Sequence, residues 1–148
     1  MTGKSILIAM NSSLAKELGD VIYDLTDTQI NFSAPTIDAR SIRDVAIHAH
    51  RPVLAATAII TGRQWPACPP WPKTSEALKQ LLNEMSQQVN DWIIDADDIV
   101  FMKPVELRWG QFKTGDDAML NSLVHGFIHT GAIRGIRAIG GFPTTPET

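Results

Sequence analysis

Two of the four histidines in this 148-residue chain, His125 and His129, are separated by four positions. On a helix, side chains with this spacing lie one turn apart on the same side. Their imidazoles can point at one ion, and a third imidazole from another helix would complete a set of three ligands with one coordination position open. The spacing indicates part of a metal site, although such pairs also occur in helices that bind no metal.

The third ligand could come from His48 or His50. Residues two positions apart on a helix diverge by roughly 200°, so the two side chains cannot enter one site. The apolar periodicity places both beside the same stripe and does not choose between them. Pro52 has no amide for the carbonyl of His48, so we expect a bend there that slightly favours His48.

No catalytic residue stands out. In zinc proteases of the HExxH type a glutamate follows the first histidine, whereas Gly126 follows His125 here, so that reading is excluded. Cys68 has no neighbouring histidine or helix N-terminus to lower its pKa, and we interpret it as an ordinary loop thiol. Arg134 and Arg137 are interpreted as surface residues.

The composition is that of a soluble globular domain, with 44% apolar and 20% charged residues, and predicts one domain over residues 1–148. A net charge of −3 with scattered basic residues argues against a nucleic-acid partner. The sequence contains no run of 18 apolar residues, so we expect no membrane-spanning helix. A single cysteine excludes an internal disulfide and favours a cytoplasmic location.

Apolar residues recurring at three- and four-residue steps predict four helices. These extend over about Ser5–Thr28, Ser41–Ile60, Ser75–Asp95 and Thr114–Gly140. Their lengths and the loops between them predict an all-α, up-down four-helix bundle, an architecture in which metal sites form between facing helices.

Two connections between the helices carry aromatic residues. Residues 62–73 contain four prolines and should form a stiff loop, in which Trp65 and Trp71 could act as a lid. The stretch 95–115 is predicted to be irregular, with short extended pieces at 99–101 and 105–112. We expect it to pack Trp109 and Phe112 inward.

The fourth helix is apolar around much of its circumference, which predicts that it is mostly buried and that part of its surface contacts a second copy in a homodimer. The apolar positions are Leu120, Leu123, Val124, Phe127, Ile128, Ile133, Ile136 and Ile139.

Two stretches resemble the DinB/YfiT-like superfamily of metal-dependent four-helix-bundle proteins. Residues 41–48, SIRDVAIH, are similar to the start of that family's second helix. Residues 123–133, LVHGFIHTGAI, followed by Arg137, Gly140 and Pro143, are similar to its fourth-helix signature. The resemblance covers nearly the full chain, and its specific part is the three histidines with Gly131.

The resemblance implies that His48, His125 and His129 bind a divalent ion. For three imidazole ligands we expect zinc or nickel before iron, manganese or copper. It selects His48 over His50. Family members with known activity use small thiols such as bacillithiol, mycothiol or glutathione in transferase or isomerase reactions, so it also implies a thiol co-substrate. The alternatives are a non-catalytic metal-binding or stress-response bundle and a metal-dependent hydrolase.

Overall fold

A computed structural model describes residues 3–144 and confirms an all-α four-helix bundle. A two-stranded antiparallel hairpin and two short 3-10 helices lie in the connections. The helices are α1 (Gly3–Ile22), α2 (Ile42–Ile60), α3 (Ser75–Asp95) and α4 (Gly115–Gly140); the strands are β1 (Val105–Leu107) and β2 (Gly110–Phe112); the 3-10 helices are Gln29–Asn31 and Asp98–Met102.

Hydroxyl side chains begin three of the helices. Each accepts a hydrogen bond from a backbone N–H in the first turn, which satisfies a donor that has no partner within the helix. The three caps are Ser41 (3.3 Å from the amide of Asp44), Thr74 (3.1 Å from Ala77) and Thr114 (3.1 Å from Asp117). α4 ends at Gly141, which has a φ of 82° that favours glycine.

The prediction that the first helix reaches Thr28 is wrong, because α1 ends at Ile22. Polar side chains beyond it form local hydrogen bonds that compete with the helix. Thr26 Oγ1 accepts from the amide of Gln29 at 3.1 Å, and Gln29 Oε1 accepts from the amide of Thr26 at 3.0 Å. This reciprocal pair starts the first 3-10 helix.

Each helix of the bundle packs mainly on two others: α1 on α3 and α4, and α2 on α3 and α4. Lys4 Nζ near the start of α1 donates to the carbonyl of Ala96 beyond α3 at 2.6 Å, so α1 and α3 are antiparallel. Arg134 near the end of α4 pairs with Glu17 near the end of α1, so these two helices are parallel.

The connection 61–74 explains how α3 comes to start at the same end of the bundle as α2. It returns along α2, where Arg51 donates to the carbonyl of Pro66 at 3.4 Å and Arg43 to that of Pro72 at 3.3 Å. The helices therefore run up, down, down and up in chain order.

The connection 96–114 contains the predicted extended piece at 105–112, which forms the hairpin. The prediction for 99–101 is wrong, because these residues belong to a 3-10 helix that buries Phe101. Phe112 packs against the core as expected, whereas Trp109 is 41% exposed and lies edge-on to Trp65, with ring centroids 5.7 Å apart. The hairpin turn places Trp109 on the surface.

The prediction that α4 is mostly buried is wrong for one of its faces. Four large apolar side chains on this face are exposed, whereas Leu123, Ile133 and Ile136 on the opposite face are fully buried. The exposed set is Leu120 (40%), Val124 (52%), Ile128 (66%) and Ile139 (57%). The helix therefore carries two apolar faces, of which the bundle covers one.

Candidate metal centre

The structure brings together the three histidines that the resemblance implies as ligands. One nitrogen from each of His48, His125 and His129 lies within 4.8 Å of the other two. The Nε2 atoms of His125 and His129 are 2.9 Å apart, and the ring of His48 stands edge-on to both, with centroids 4.9 and 4.8 Å away. Two helices that are distant in the chain therefore supply one cluster of donors.

Gly126 allows α2 to approach α4 closely enough for His48 to reach the other two histidines. A Cβ atom at this position would lie 2.6 Å from the carbonyl oxygen of Ala49 and 2.6 Å from Cδ2 of Leu14. Both distances are shorter than any ordinary contact of a Cβ atom, so only glycine fits here without a shift of the neighbouring helices. Since Ala49 follows His48 and Gly126 follows His125, this contact fixes the spacing at the site itself.

Gly126→Ala should therefore destabilise the protein by about 1–3 kcal/mol, because the added methyl group overpacks the interface between α2 and α4. Chemical denaturation measures this loss. The matched control is Gly131→Ala in the same helix, where a Cβ atom meets nothing within 4 Å. That variant should gain about 0.5–1 kcal/mol from the better helix propensity of alanine. Equal effects of the two substitutions would contradict the assignment.

His50 points away from the cluster, which decides between the two candidates on α2. Its side chain is buried, and its Nε2 lies 2.8 Å from Oδ1 of Asn11. The amide nitrogen of Asn11 donates to the carbonyl of Ser86 and to Oδ1 of Asn90, at 3.1 and 2.9 Å. The oxygen of Asn11 is thus the acceptor, and Nε2 of His50 carries the proton. His50 links α1, α2 and α3 through this network.

Burial keeps the three clustered imidazoles neutral. Loss of solvent is the main cause that lowers the pKa of His48 to about 4, and the charge of Arg40 lowers it further. Burial, followed by neighbouring positive groups, also lowers the pKa values of His125 and His129. A neutral imidazole has a free lone pair, which is the form that binds a metal ion.

The free energy of unfolding should fall between about pH 6.5 and 4 in chelator-treated protein. Burial lowers the pKa of His50 from 6.5 to about 4, so the unfolded chain binds the extra proton first and gains stability as the pH falls through this window. Equilibrium denaturation at several pH values should show a loss on the order of 3 kcal/mol from this group. His50→Gln keeps a donor for Asn11 without titrating and should reduce the dependence by about this amount, while the part that comes from the clustered histidines remains. An unchanged slope would contradict the assignment.

The donor set fits a divalent metal ion. The Nε2 atoms of His125 and His129 face each other at 2.9 Å, and one nitrogen of His48 lies within 4.8 Å of the same group. A tetrahedral ion with bonds of 2.0–2.1 Å separates its ligand nitrogens by about 3.3 Å, so small side-chain shifts would bring the three into place. Three neutral imidazoles suit zinc, nickel, iron or copper.

The loop before α2 adds two charged residues that the sequence did not reveal. Oδ1 of Asp38 accepts from the backbone amide and Nε of Arg40, at 2.9 and 3.0 Å, and Oδ2 accepts from Nη2 at 3.1 Å. Hydrogen bonds from Arg40 are the main cause that lowers the pKa of Asp38. The loop has no periodicity or motif, so only the folded chain identifies this pair.

The two arginines near the end of α4 differ in their environments. Arg134 is on the surface as expected, paired with Glu17 at 2.6 Å. The same expectation for Arg137 is wrong, because this residue is 2% exposed. Its guanidinium donates to both carboxylate oxygens of Asp24 and to the carbonyl of Val21, which ties the end of α1 to α4. Cys68 is exposed in the loop, as expected for an ordinary thiol.

The fold and the cluster together define an all-α four-helix bundle with a three-histidine group that could hold a metal ion. Comparison of the chain with protein-family models, curated proteins and solved structures found no match. Within residues 3–144, no helix combines the length and the apolar character needed to cross a membrane.

Proposed function

We propose that the chain is a metalloprotein of the DinB/YfiT type that binds one divalent ion, zinc or nickel before iron, manganese or copper, through His48, His125 and His129. The observation that carries the proposal is the convergence of three neutral imidazoles from α2 and α4 within 4.8 Å. His50, the histidine outside the cluster, is directed through its Nε2 at Asn11. These three face one another instead.

Metal analysis of the purified, reconstituted protein tests this proposal. The wild-type chain should retain about one ion per molecule after removal of excess metal, and His48→Ala and His125→Ala should each reduce the content to near zero. His50→Gln removes the fourth histidine without touching the cluster and should retain the ion. A wild-type content no higher than that of His125→Ala would refute the site.

We further propose that the protein is a thiol-dependent transferase. The three histidines occupy one side of the site, and each is only half-buried, so a small molecule has access to a fourth position. When bound, a divalent cation lowers the pKa of a thiol at such a position and makes it a better nucleophile. Among residues 3–144, the group of possible ligands consists of these three neutral imidazoles, which leaves the charge of the ion available to the thiol.

Turnover assays with glutathione, bacillithiol or mycothiol and a chromogenic electrophile separate the alternatives. A transferase requires both the thiol and the metal, and His125→Ala should lose the activity. Metal-dependent turnover that needs no thiol would instead favour a hydrolase. A chelator-induced fall in melting temperature, with no turnover for any thiol, would favour a non-catalytic binding or stress-response role.

The uncovered face of α4 supports the proposal of a homodimer. Val124 and Ile128 are one turn apart and more than half exposed, and Leu120 continues the same row. A second copy packed along this row would bury apolar area that the bundle leaves in water. Light scattering should report a dimer for the wild type and a monomer for Ile128→Glu. We also propose a cytoplasmic location, since the exposed thiol of Cys68 fits a reducing compartment.

A further inference from the structure

The loop before α2, residues 33–41, closes one end of the groove between α2 and α4. The amide of Ile42 donates to the carbonyl of Phe32 at 2.9 Å, which ties the loop to the start of α2. At its other side, Cδ1 of Ile37 lies 2.9 Å from where a Cβ atom of Gly135 would be. Ile42 and Gly135 are each six positions from a clustered histidine, which corresponds to about 9 Å along a helix.

Arg40 is held in this loop in a fixed orientation. Asp38 accepts from its Nε and Nη2, and an isolated backbone bridge between Ala34 and Asp38 holds the main chain of this turn. Within the described residues 3–144, Nη1 of Arg40 makes no hydrogen bond to a protein acceptor, and the side chain is 40% exposed. The guanidinium therefore presents one pre-oriented edge to the solvent.

Arg40 lies two residues before α2, in the loop that closes this end of the groove. Its charge lowers the pKa of His48, His125 and His129, whereas that of Asp38 opposes this effect at His48 and His129. A positive side chain at the end of this groove does not help to hold the metal ion. It suits a ligand that brings a second negative group to the same groove.

We propose that Arg40 is a specificity residue that binds a carboxylate on the small thiol. This inference rests on the proposed function, since the thiol sulfur would occupy the open position beside the three histidines. Guanidinium and carboxylate groups match in geometry, and their hydrogen bonds are charge-assisted. Arg40 thus selects thiols that carry a carboxylate over neutral thiols of the same length.

Cobalt-loaded protein and two thiols test this proposal. 3-Mercaptopropionate and 3-mercapto-1-propanol have equal chain lengths and differ in charge, and thiolate binding to cobalt is followed by its absorption band. The wild type should bind mercaptopropionate about tenfold more tightly, as expected for one charge-assisted contact. Arg40→Gln should lower this ratio to near one while the affinity for mercaptopropanol changes less than about twofold.

Two further variants serve as controls, and the first of them leaves no charge unpaired. Asp38→Asn/Arg40→Gln replaces one neutral pair by another and should also abolish the preference. Arg134→Gln removes an ion-paired arginine elsewhere on the surface and should preserve it. Equal affinities in the wild type, or a preference retained in both Arg40 variants, would overturn the inference alone. A wild-type protein without cobalt bands would overturn the metal site and this inference together.

Discussion

Addition of zinc to the metal-free protein should raise its melting temperature, and His125→Ala should remove this rise. A ligand that binds only the folded state adds about 2.7 kcal/mol of stability at a free concentration one hundred times its Kd. For a chain of this size, that corresponds to an increase of roughly 5–11 °C. Thermal unfolding followed by circular dichroism, with and without zinc, measures both values.

His50→Gln is the matched control for this experiment. Like His125→Ala, this substitution removes a histidine. The side chain of His50, however, lies in the network with Asn11 and not in the cluster. Whatever the melting temperature of this variant without zinc, the increase on zinc addition should remain. An equal increase in His125→Ala would mean that zinc stabilises the protein elsewhere.

Arg137→Ala should produce the second large effect, a loss of about 2–4 kcal/mol in the free energy of unfolding. The substitution leaves the carbonyl groups of Val21 and Phe142 without their donor and Asp24 without its partner. Since these groups lie where α1 and α4 end, both helix ends lose their connection. Equilibrium denaturation measures the loss.

Arg134→Ala provides the comparison on the same helix. Its ion pair with Glu17 is exposed, with both side chains about two-fifths accessible, so its removal should cost no more than about 1 kcal/mol. Arg137→Lys keeps the charge but cannot replace the planar set of donors, and should fall between the two alanine variants. Similar losses for Arg134→Ala and Arg137→Ala would show that burial of Arg137 contributes little.

The sequence predicts the bundle and most of its helix boundaries because these depend on local patterns. Apolar periodicity gives the four helices, and Ser41 and Thr114, where the second and fourth ranges begin, cap α2 and α4. The pair His125 and His129 is also a local pattern, since both belong to one helix. His48 could not be separated from His50 in this way, because only contacts between helices reveal which side chain faces α4.

Other features depend on contacts between distant parts of the chain. Arg137 resembles a surface arginine in sequence, and only the approach of α1 buries it against Asp24. Asp38 and Arg40 lie in a loop without a pattern, and their relation to the histidines depends on how that loop crosses to Gly135. Asn11, an amide within an apolar stripe, is the one signal that could have indicated a buried partner for His50.

The order of the helices has a consequence for how the protein acquires its metal. About half of the chain separates His48 from His125, and the helix that carries the second of these is the last to be synthesised. The ligand set is therefore incomplete until α4 has docked against α2. Before α4 is made, a growing chain offers the ion only one of the three ligand imidazoles, that of His48. Metal should accordingly slow the unfolding of the finished bundle much more than it speeds its folding.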